Sequence, residues 1–268
     1  MIFIVGSSGW IGSEVRRAFT QGKTDFFDVR RSELEQDSFW ESIRVNAIDR
    51  VPTILNLASP GLTGESQKSY ERTTETIAHW VKKLNARSVH IGSAAEFGDV
   101  DHLIDEEAPI QPITSYGVLK ARTSEIALKS GACVLRPFNV VGRDQPIATP
   151  VGEWTHAIKL SSQEGGVLKL LNGSLERDFV SLPFVARVIT HICIMDAQID
   201  SLNICTGNGI SFKDLAHELI LESKKTIVID DACAGGIPRV IGNPEKLRDL
   251  GFLERMAVGQ IARMIFEN

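Results

Sequence analysis

Tyr116 and Lys120 stand four residues apart in the stretch Ser115-Tyr116-Gly117-Val118-Leu119-Lys120, a spacing that places both side chains on one face of a helix. A free phenol titrates near about 10 and is a poor acid–base group at neutral pH. An ammonium group beside it favours the phenolate and makes it a usable proton shuttle. A solvated surface pair has the same spacing, so the other motifs must distinguish the two.

The second chemical stretch is Gly6-Ser7-Ser8-Gly9-Trp10-Ile11-Gly12, which follows an apolar run directly and opens a helical pattern. In that setting a Gly-x-x-Gly-x-x-Gly loop brings backbone N–H groups up to a pyrophosphate at a helix N-terminus. Gly6, Ser8, Gly9, Trp10, Ile11 and Gly12 are therefore the candidate contacts. Asp28 closes the next strand pattern, where a carboxylate can bond the adenosine ribose hydroxyls of NAD. Arg30 and Arg31 follow it and could pair with the 2′-phosphate of NADP. Both cofactors stay open.

These side chains need a frame, and the chain's periodicity describes one. Short β-rich runs at 1–5, 25–28, 53–57, 88–92 and 133–137 alternate with helical patterns at 10–19, 38–45, 70–84 and 115–129. Such alternation predicts an α/β fold, a doubly wound parallel sheet of the Rossmann kind with helices on both faces. After Val141 the rhythm is broken by Pro146, Pro150, Gly152, Gly165 and Gly166, and a helix returns at 185–195. The expected division is a dinucleotide-binding domain of residues 1–141 and 176–204 with a smaller substrate lobe of residues 142–175 and 205–268.

The chain has 268 residues, 43% hydrophobic and 24% charged, with a net charge of −5. That is enough to bury a full core. No Lys/Arg run marks a nucleic-acid binder. No apolar stretch reaches the length of a membrane span, and the leading apolar run is too short for a signal segment, so a cytoplasmic protein is expected. Cys133, Cys193, Cys205 and Cys233 form no Cys-x-x-Cys pair and read as thiols in a reducing compartment. No metal site is expected.

The segment His90-Ile91-Gly92-Ser93-Ala94-Ala95-Glu96-Phe97-Gly98 falls at the C-terminal end of the fourth strand, the edge where open α/β sheets bind ligands. With it, the chain resembles the extended short-chain dehydrogenase/reductases that act on nucleotide sugars, the NAD-dependent epimerase/dehydratase family. The resemblance implies that Ser93 hydrogen-bonds the substrate oxygen, that Tyr116 exchanges its proton, and that Lys120 tunes Tyr116 and contacts the nicotinamide ribose. It extends through Asn56-Leu57-Ala58-Ser59, a loop near the cofactor, and Arg136-Pro137-Phe138-Asn139, which joins the nicotinamide pocket to the substrate lobe. Leu57, Ala58, Ser59 and Pro137 join the cofactor candidates. Glu96, Asn139, Arg177 and Arg239 join Ser93 as substrate candidates. Arg177, in Leu175-Glu176-Arg177-Asp178-Phe179, is the residue suited to a phosphate, because a guanidinium fork matches its oxygens. A surface ion pair of Arg177 with Glu176 or Asp178 is the alternative.

Within the family, Ala94-Ala95 stands where sugar-nucleotide 4,6-dehydratases carry Asp-Glu, so the acid and base for eliminating water are missing. The same Ala94 lacks the Cys of the fucose-pathway 3,5-epimerase/reductases. The chain looks most like the GDP-linked 4-keto-6-deoxymannose reductases, which implies hydride transfer at C4 of a nucleoside-diphosphate 4-keto-6-deoxy sugar with NAD or NADP. It departs from them at Thr73, where an Asn is usual, and at Ser181-Leu182-Pro183-Phe184, which replaces an acidic segment. A C4 epimerase that retains its NAD would use the same residues. A non-catalytic NAD(P)-sensing regulator is the alternative of another class. The resemblance also implies a homodimer through the 70–84 and 115–129 helices; Ile77, Trp80, Val81 and Leu84 at helical spacing offer such a face, though core packing against the sheet explains most of them equally well.

Overall fold

The computed structural model describes residues 1–46, 51–60, 64–195 and 198–267. Along the chain run β1 (Ile2–Val5), α1 (Trp10–Gln21), β2 (Phe26–Val29), α2 (Arg31–Leu34), α3 (Asp37–Asn46), β3 (Thr53–Asn56), α4 (Gly64–Leu84) and β4 (Arg87–Ile91). A 3-10 turn (Ala94–Glu96), α5 (Ser115–Lys129), β5 (Cys133–Pro137), β6 (Asn139–Val141), α6 (Pro150–Leu160), β7 (Glu164–Leu171) and β8 (Glu176–Ser181) follow. The last elements are α7 (Leu182–Ile194), β9 (Ser201–Ile204), β10 (Gly209–Ser211), α8 (Phe212–Ser223), β11 (Thr226–Ala232), β12 (Arg239–Val240), α9 (Glu245–Asp249) and α10 (Val258–Phe266).

Every residue of β1 and β3 is buried, as expected of parallel strands covered on both faces. The six-stranded sheet has the order β2-β1-β3-β4-β5-β9, and β2 and β3 pair parallel to β1 on opposite sides. The order therefore reverses between β1 and β3, and at such a switch point the loops leaving the strand ends open a crevice. The loops that leave there are Gly6–Gly12 and Leu57–Ser59. This is the doubly wound sheet the alternation predicted.

Two compact units make up the chain. The first comprises Met1–Gly98, Pro109–Pro137 and Val185–Asn203, and the second Asp99–Ala108, Phe138–Phe184 and Ile204–Asn268. Residues 99–108, 138–141, 176–184 and 204, expected with the dinucleotide half, group with the second unit. For 138–141 and 176–184 the reason is strand pairing: β8 bonds β6, β10 and β12. In that unit α6, α8 and α10 bury Val151, Ile158, Leu215, Leu219 and Ile261 in one cluster, beside a two-stranded β7–β11 ribbon.

One expectation needs correction and another is decided. The helix expected from Tyr70 starts six residues earlier, at Gly64, because Glu65-Ser66-Gln67-Lys68 carry no apolar periodicity to announce it. Of the two roles open to the apolar positions of α4, core packing is the one observed, not an outward face. Ile77, Trp80 and Val81 are buried with Phe3, Trp40 and Ile54, and Leu84 packs against the same cluster. Trp80 stacks on Trp40 with ring centroids 5.5 Å apart. Among the described residues no helix is long and apolar enough to cross a membrane.

Candidate active site

The N-terminus of α1 lies in the Gly-rich loop. Gly6 has φ +83°, and a Cβ there would sit 2.6 Å from the Ala58 nitrogen. A Cβ on Gly12 would sit 2.3 Å from the Gly6 oxygen. Both positions require glycine for packing alone. Gly9 differs: its Cβ would meet only the Gly6 oxygen, at 3.4 Å. Gly9 is also the N-cap of α1, with no side-chain cap and no acidic residue in the first turn. Ser8 and Gly9 are exposed, and Trp10 and Ile11 half-buried. A helix start left without a carboxylate and shielded by no side chain suits an anion, so these residues fit the pyrophosphate of a dinucleotide.

Around this loop, Asn56 Oδ1 accepts the Ala58 N–H at 3.1 Å and fixes the turn that carries Leu57 and Ser59. The Leu57 N–H donates to the Val5 carbonyl. Asp28 is held by Arg16 of α1, 3.1 Å from Nη2 to Oδ2. That neighbour was absent from the sequence reading, although Arg16 lies one turn beyond Gly12. Arg30 and Arg31 are exposed at the start of α2.

The second part of the site sits at the end of β4. Ser93 caps the 3-10 turn: its Oγ accepts the Ala95 N–H at 3.2 Å, and its own N–H donates to Glu96 Oε1 at 2.8 Å. Glu96 is fully buried. Its carboxylate also accepts from Ser124 Oγ at 2.8 Å and from Arg136 Nε at 2.8 Å. Glu96 is therefore not a substrate contact, as the sequence had suggested. It is the anchor that sets the Ser93 backbone, and its charge is matched by Arg136.

α5 is pressed onto this turn. A Cβ on Gly117 would lie 2.2 Å from the Ala95 carbonyl oxygen, so only glycine allows the helix to approach so closely. Thr114 caps α5 through the Gly117 N–H at 3.0 Å. One turn in, Lys120 is 3% exposed, whereas Tyr116 is 46% exposed. The Lys120 ammonium donates to the Tyr70 hydroxyl at 2.9 Å and to the Ile91 carbonyl at the end of β4. Burial disfavours its charge, but Tyr70, Tyr116 and Glu96 outweigh that and hold its pKa above the ordinary lysine value.

Tyr70, His90 and Asn56 complete a buried polar cluster that the sequence did not mark as functional. Asn56 Nδ2 lies 3.1 Å from His90 Nδ1, and the His90 ring stacks on Tyr70 at 6.4 Å. Thr73, at the departure from the family pattern, is only half-buried, and it is Tyr70, one turn earlier, that reaches Lys120. The sole sequence clue was an apolar-type position three residues before that departure.

The substrate candidates of the second unit are engaged with the chain itself. Asn139 Nδ2 donates to the Asp178 carbonyl at 3.1 Å across β6 and β8. Arg177 Nη1 donates to the carbonyls of Glu176 and Ile237 at 2.8 and 3.0 Å, and the guanidinium lies over Phe212, 5.3 Å from its centroid. Arg177 thus makes neither of the surface ion pairs considered for it. The ion pair belongs to Arg239 and Glu176, at 2.9 Å. Asp178 is buried and accepts from Thr206 N and Oγ1, Gly207 N and Gly242 N. Burial pushes its carboxyl up to about 6, against the pull of those donors.

The family described as "NAD dependent epimerase/dehydratase family" matches residues 2–205. GDP-6-deoxy-D-talose 4-dehydrogenase of Aggregatibacter actinomycetemcomitans is 27% identical over 190 residues, 65% of this chain and 62% of its own. The chain thus spans less than two thirds of that relative's length. UDP-glucose 4-epimerase of Azospirillum brasilense is 24% identical, across 95% of this chain and 87% of its own. Among solved structures, dTDP-glucose 4,6-dehydratase from Bacillus anthracis in complex with NAD superposes with TM-score 0.83 at 19% identity, over 98% of this chain and 94% of that one. RMD from Pseudomonas aeruginosa complexed with NADPH gives 0.80 at 20% identity, over 99% and 98%. At these identities the solved structures speak for the fold alone.

Proposed function

Because the chain belongs to the NAD dependent epimerase/dehydratase family, we propose that it is a nucleotide-sugar enzyme that reduces a nucleoside-diphosphate 4-keto-6-deoxy sugar at C4 with NADH or NADPH. The bound dinucleotide supplies the hydride. The α1 N-terminus at Gly9 would hold its pyrophosphate, and Lys120, with two protons committed to Tyr70 and Ile91, would have a third to donate to a ribose hydroxyl. Ser93 hydrogen-bonds the keto oxygen, and Tyr116 donates its proton to that oxygen as the alkoxide develops. The carbonyl becomes a secondary alcohol, and the phenolate left behind is reprotonated from solvent, which the half-exposed ring reaches. Arg177 and Arg239 are assigned to the diphosphate.

The observation that carries this reading is the asymmetry of the Tyr116 and Lys120 pair. A solvated surface pair would expose both groups; here the ammonium is buried and anchored at the end of a sheet strand while the phenol one turn away remains open. Ala94-Ala95 offers no acid for elimination. The name of the Aggregatibacter relative, a 4-dehydrogenase of a GDP-linked 6-deoxy sugar, specifies redox chemistry at the same carbon. The similarity to a UDP-glucose 4-epimerase over 95% of this chain favours a second reading, C4 epimerisation with retained NAD.

The test is turnover with 4-keto sugars linked to GDP, dTDP, UDP or CDP, followed by NAD(P)H oxidation. Tyr116→Phe should abolish nearly all turnover and leave dinucleotide affinity within a few-fold, because only a hydroxyl is lost. Wild-type turnover by that variant would overturn the proton-donor assignment. Tightly retained NAD(H), with sugar interconversion and no added reductant, would establish the epimerase instead. A homodimer belongs to the same proposal. With the apolar face of α4 buried, it rests on exposed Val118 and Leu128 of α5, and a monomer by light scattering would count against it.

A further inference from the structure

We propose that Tyr70 is a positioning residue for Lys120: its hydroxyl fixes the direction of the buried ammonium and so the setting in which Tyr116 gives up its proton. This inference rests on the reading of Tyr116 and Lys120 given above.

The geometry constrains Tyr70 from three sides. Its hydroxyl oxygen accepts from Lys120 at 2.9 Å. Its ring is stacked on His90, which Asn56 holds in turn at 3.1 Å. Its oxygen lies 3.3 Å from Thr123 Oγ1. The Thr123 hydroxyl has a single proton, and the Leu119 and Lys120 carbonyls lie within 3.1 and 3.0 Å of it. Thr123 can therefore bond a carbonyl and still accept the proton of Tyr70. That arrangement turns a lone pair of Tyr70 toward Lys120. Thr123 is fully buried, so the chain of hydrogen bonds ends inside α5 without reaching water. Tyr70 places the cation and does not relay protons; exchange with solvent is left to Tyr116.

The groups that face Lys120 are Tyr70 of α4, Tyr116 of its own helix and Glu96 of the 3-10 turn, which favour its charge, with burial against it. His90 of β4 is close enough for the ammonium to depress its basicity. Without the Tyr70 hydroxyl the burial penalty remains and one stabilising partner is gone. The pKa of Lys120 must then fall.

The experiment is Tyr70→Phe in the full chain. The kcat should drop about ten-fold or more, the scale of one hydrogen bond to a charged group. The keto-sugar KM should stay within two-fold, and the alkaline limb of the kcat profile should move to lower pH. A folded Tyr70→Phe protein with wild-type kcat and an unmoved limb overturns the proposal. If that variant does not fold, Thr123→Val takes its place, with a smaller shift in the same direction expected and an unmoved limb again fatal. Side-chain 15N NMR of lysine, assigned with Lys120→Met, separates this proposal from the functional reading. A wild-type protein inactive on every keto sugar sinks that reading, whereas a Lys120 titration unchanged by Tyr70→Phe sinks the role of Tyr70.

Discussion

Glu96 Oε2 and Arg136 Nε are 2.8 Å apart in an ion pair whose side chains are 0% and 4% exposed. The other oxygen of the same carboxylate takes the Ser93 N–H, so one buried charge pair sets the backbone of the hydroxyl residue proposed to polarise the substrate. Breaking such a pair by removing one partner costs about 3–5 kcal/mol, whereas apolar replacement of both is often nearly neutral. Glu96→Gln should therefore lower the urea-denaturation stability sharply. The double variant Glu96→Leu, Arg136→Met should regain much of it and still lose kcat, because the Ser93 N–H then loses its acceptor. A stable, fully active double variant would show that the pair has no bearing on Ser93.

The Gly-rich loop allows a contrast between two neighbouring glycines. Gly12→Ala drives a Cβ to 2.3 Å from a backbone oxygen and should destabilise the unliganded protein. Gly9→Ala meets nothing closer than 3.4 Å and should leave the unliganded melting temperature nearly unchanged while weakening dinucleotide binding. Calorimetric titration beside thermal melts reads both. Unaltered cofactor affinity in Gly9→Ala would remove the pyrophosphate from this helix.

His90 should make the protein acid-labile. Burial first, and then the charges of Lys120 and Arg136, hold its imidazole well below the ordinary histidine range. The unfolded chain takes up a proton below about 6.5 and the folded chain does not, so stability is full above that pH and is lost as the pH falls through it, by up to about 1.4 kcal/mol per unit. His90→Phe cannot bind that proton and should lose less stability between pH 7 and pH 5 than wild type. Parallel slopes in denaturation midpoints would contradict a neutral buried His90.

Arg177→Ala should raise the keto-sugar KM about ten-fold or more, since a charge-assisted contact to phosphate is worth roughly 1.5–3 kcal/mol. It should also loosen the segment around Ile237, whose carbonyl loses its donor. Dinucleotide affinity should hold, because the Gly6–Gly12 loop belongs to the first unit. Lost cofactor affinity with an unchanged KM would invert the assignment.

What could be read from the sequence was local. Gly6, Gly9 and Gly12 after an apolar run, and Tyr116 with Lys120 at helical spacing, carry their meaning within a few residues. The buried cluster does not: Asn56, Tyr70, His90 and Lys120 come from four elements, and nothing in their neighbours says that they converge. Glu96 misled for the same reason, because its partner Arg136 lies forty positions on. A carboxylate three residues after a candidate hydroxyl looks like substrate chemistry until that partner is seen. The β7–β11 ribbon went unread because Gly165-Gly166 interrupt the alternation and its pairing joins segments about sixty residues apart.

Asp178 sets an order of events for the newborn chain. Its carboxylate is closed in by donors at 206, 207 and 242, so β8 emerges from the ribosome carrying a group whose last donor is synthesised sixty-four residues later. Until Gly242 is out, that carboxylate lacks one of the backbone donors that enclose it in the folded unit. A chain cut short before that residue would expose an unfinished core to cellular proteases, even with every residue of the proposed proton-transfer machinery already made.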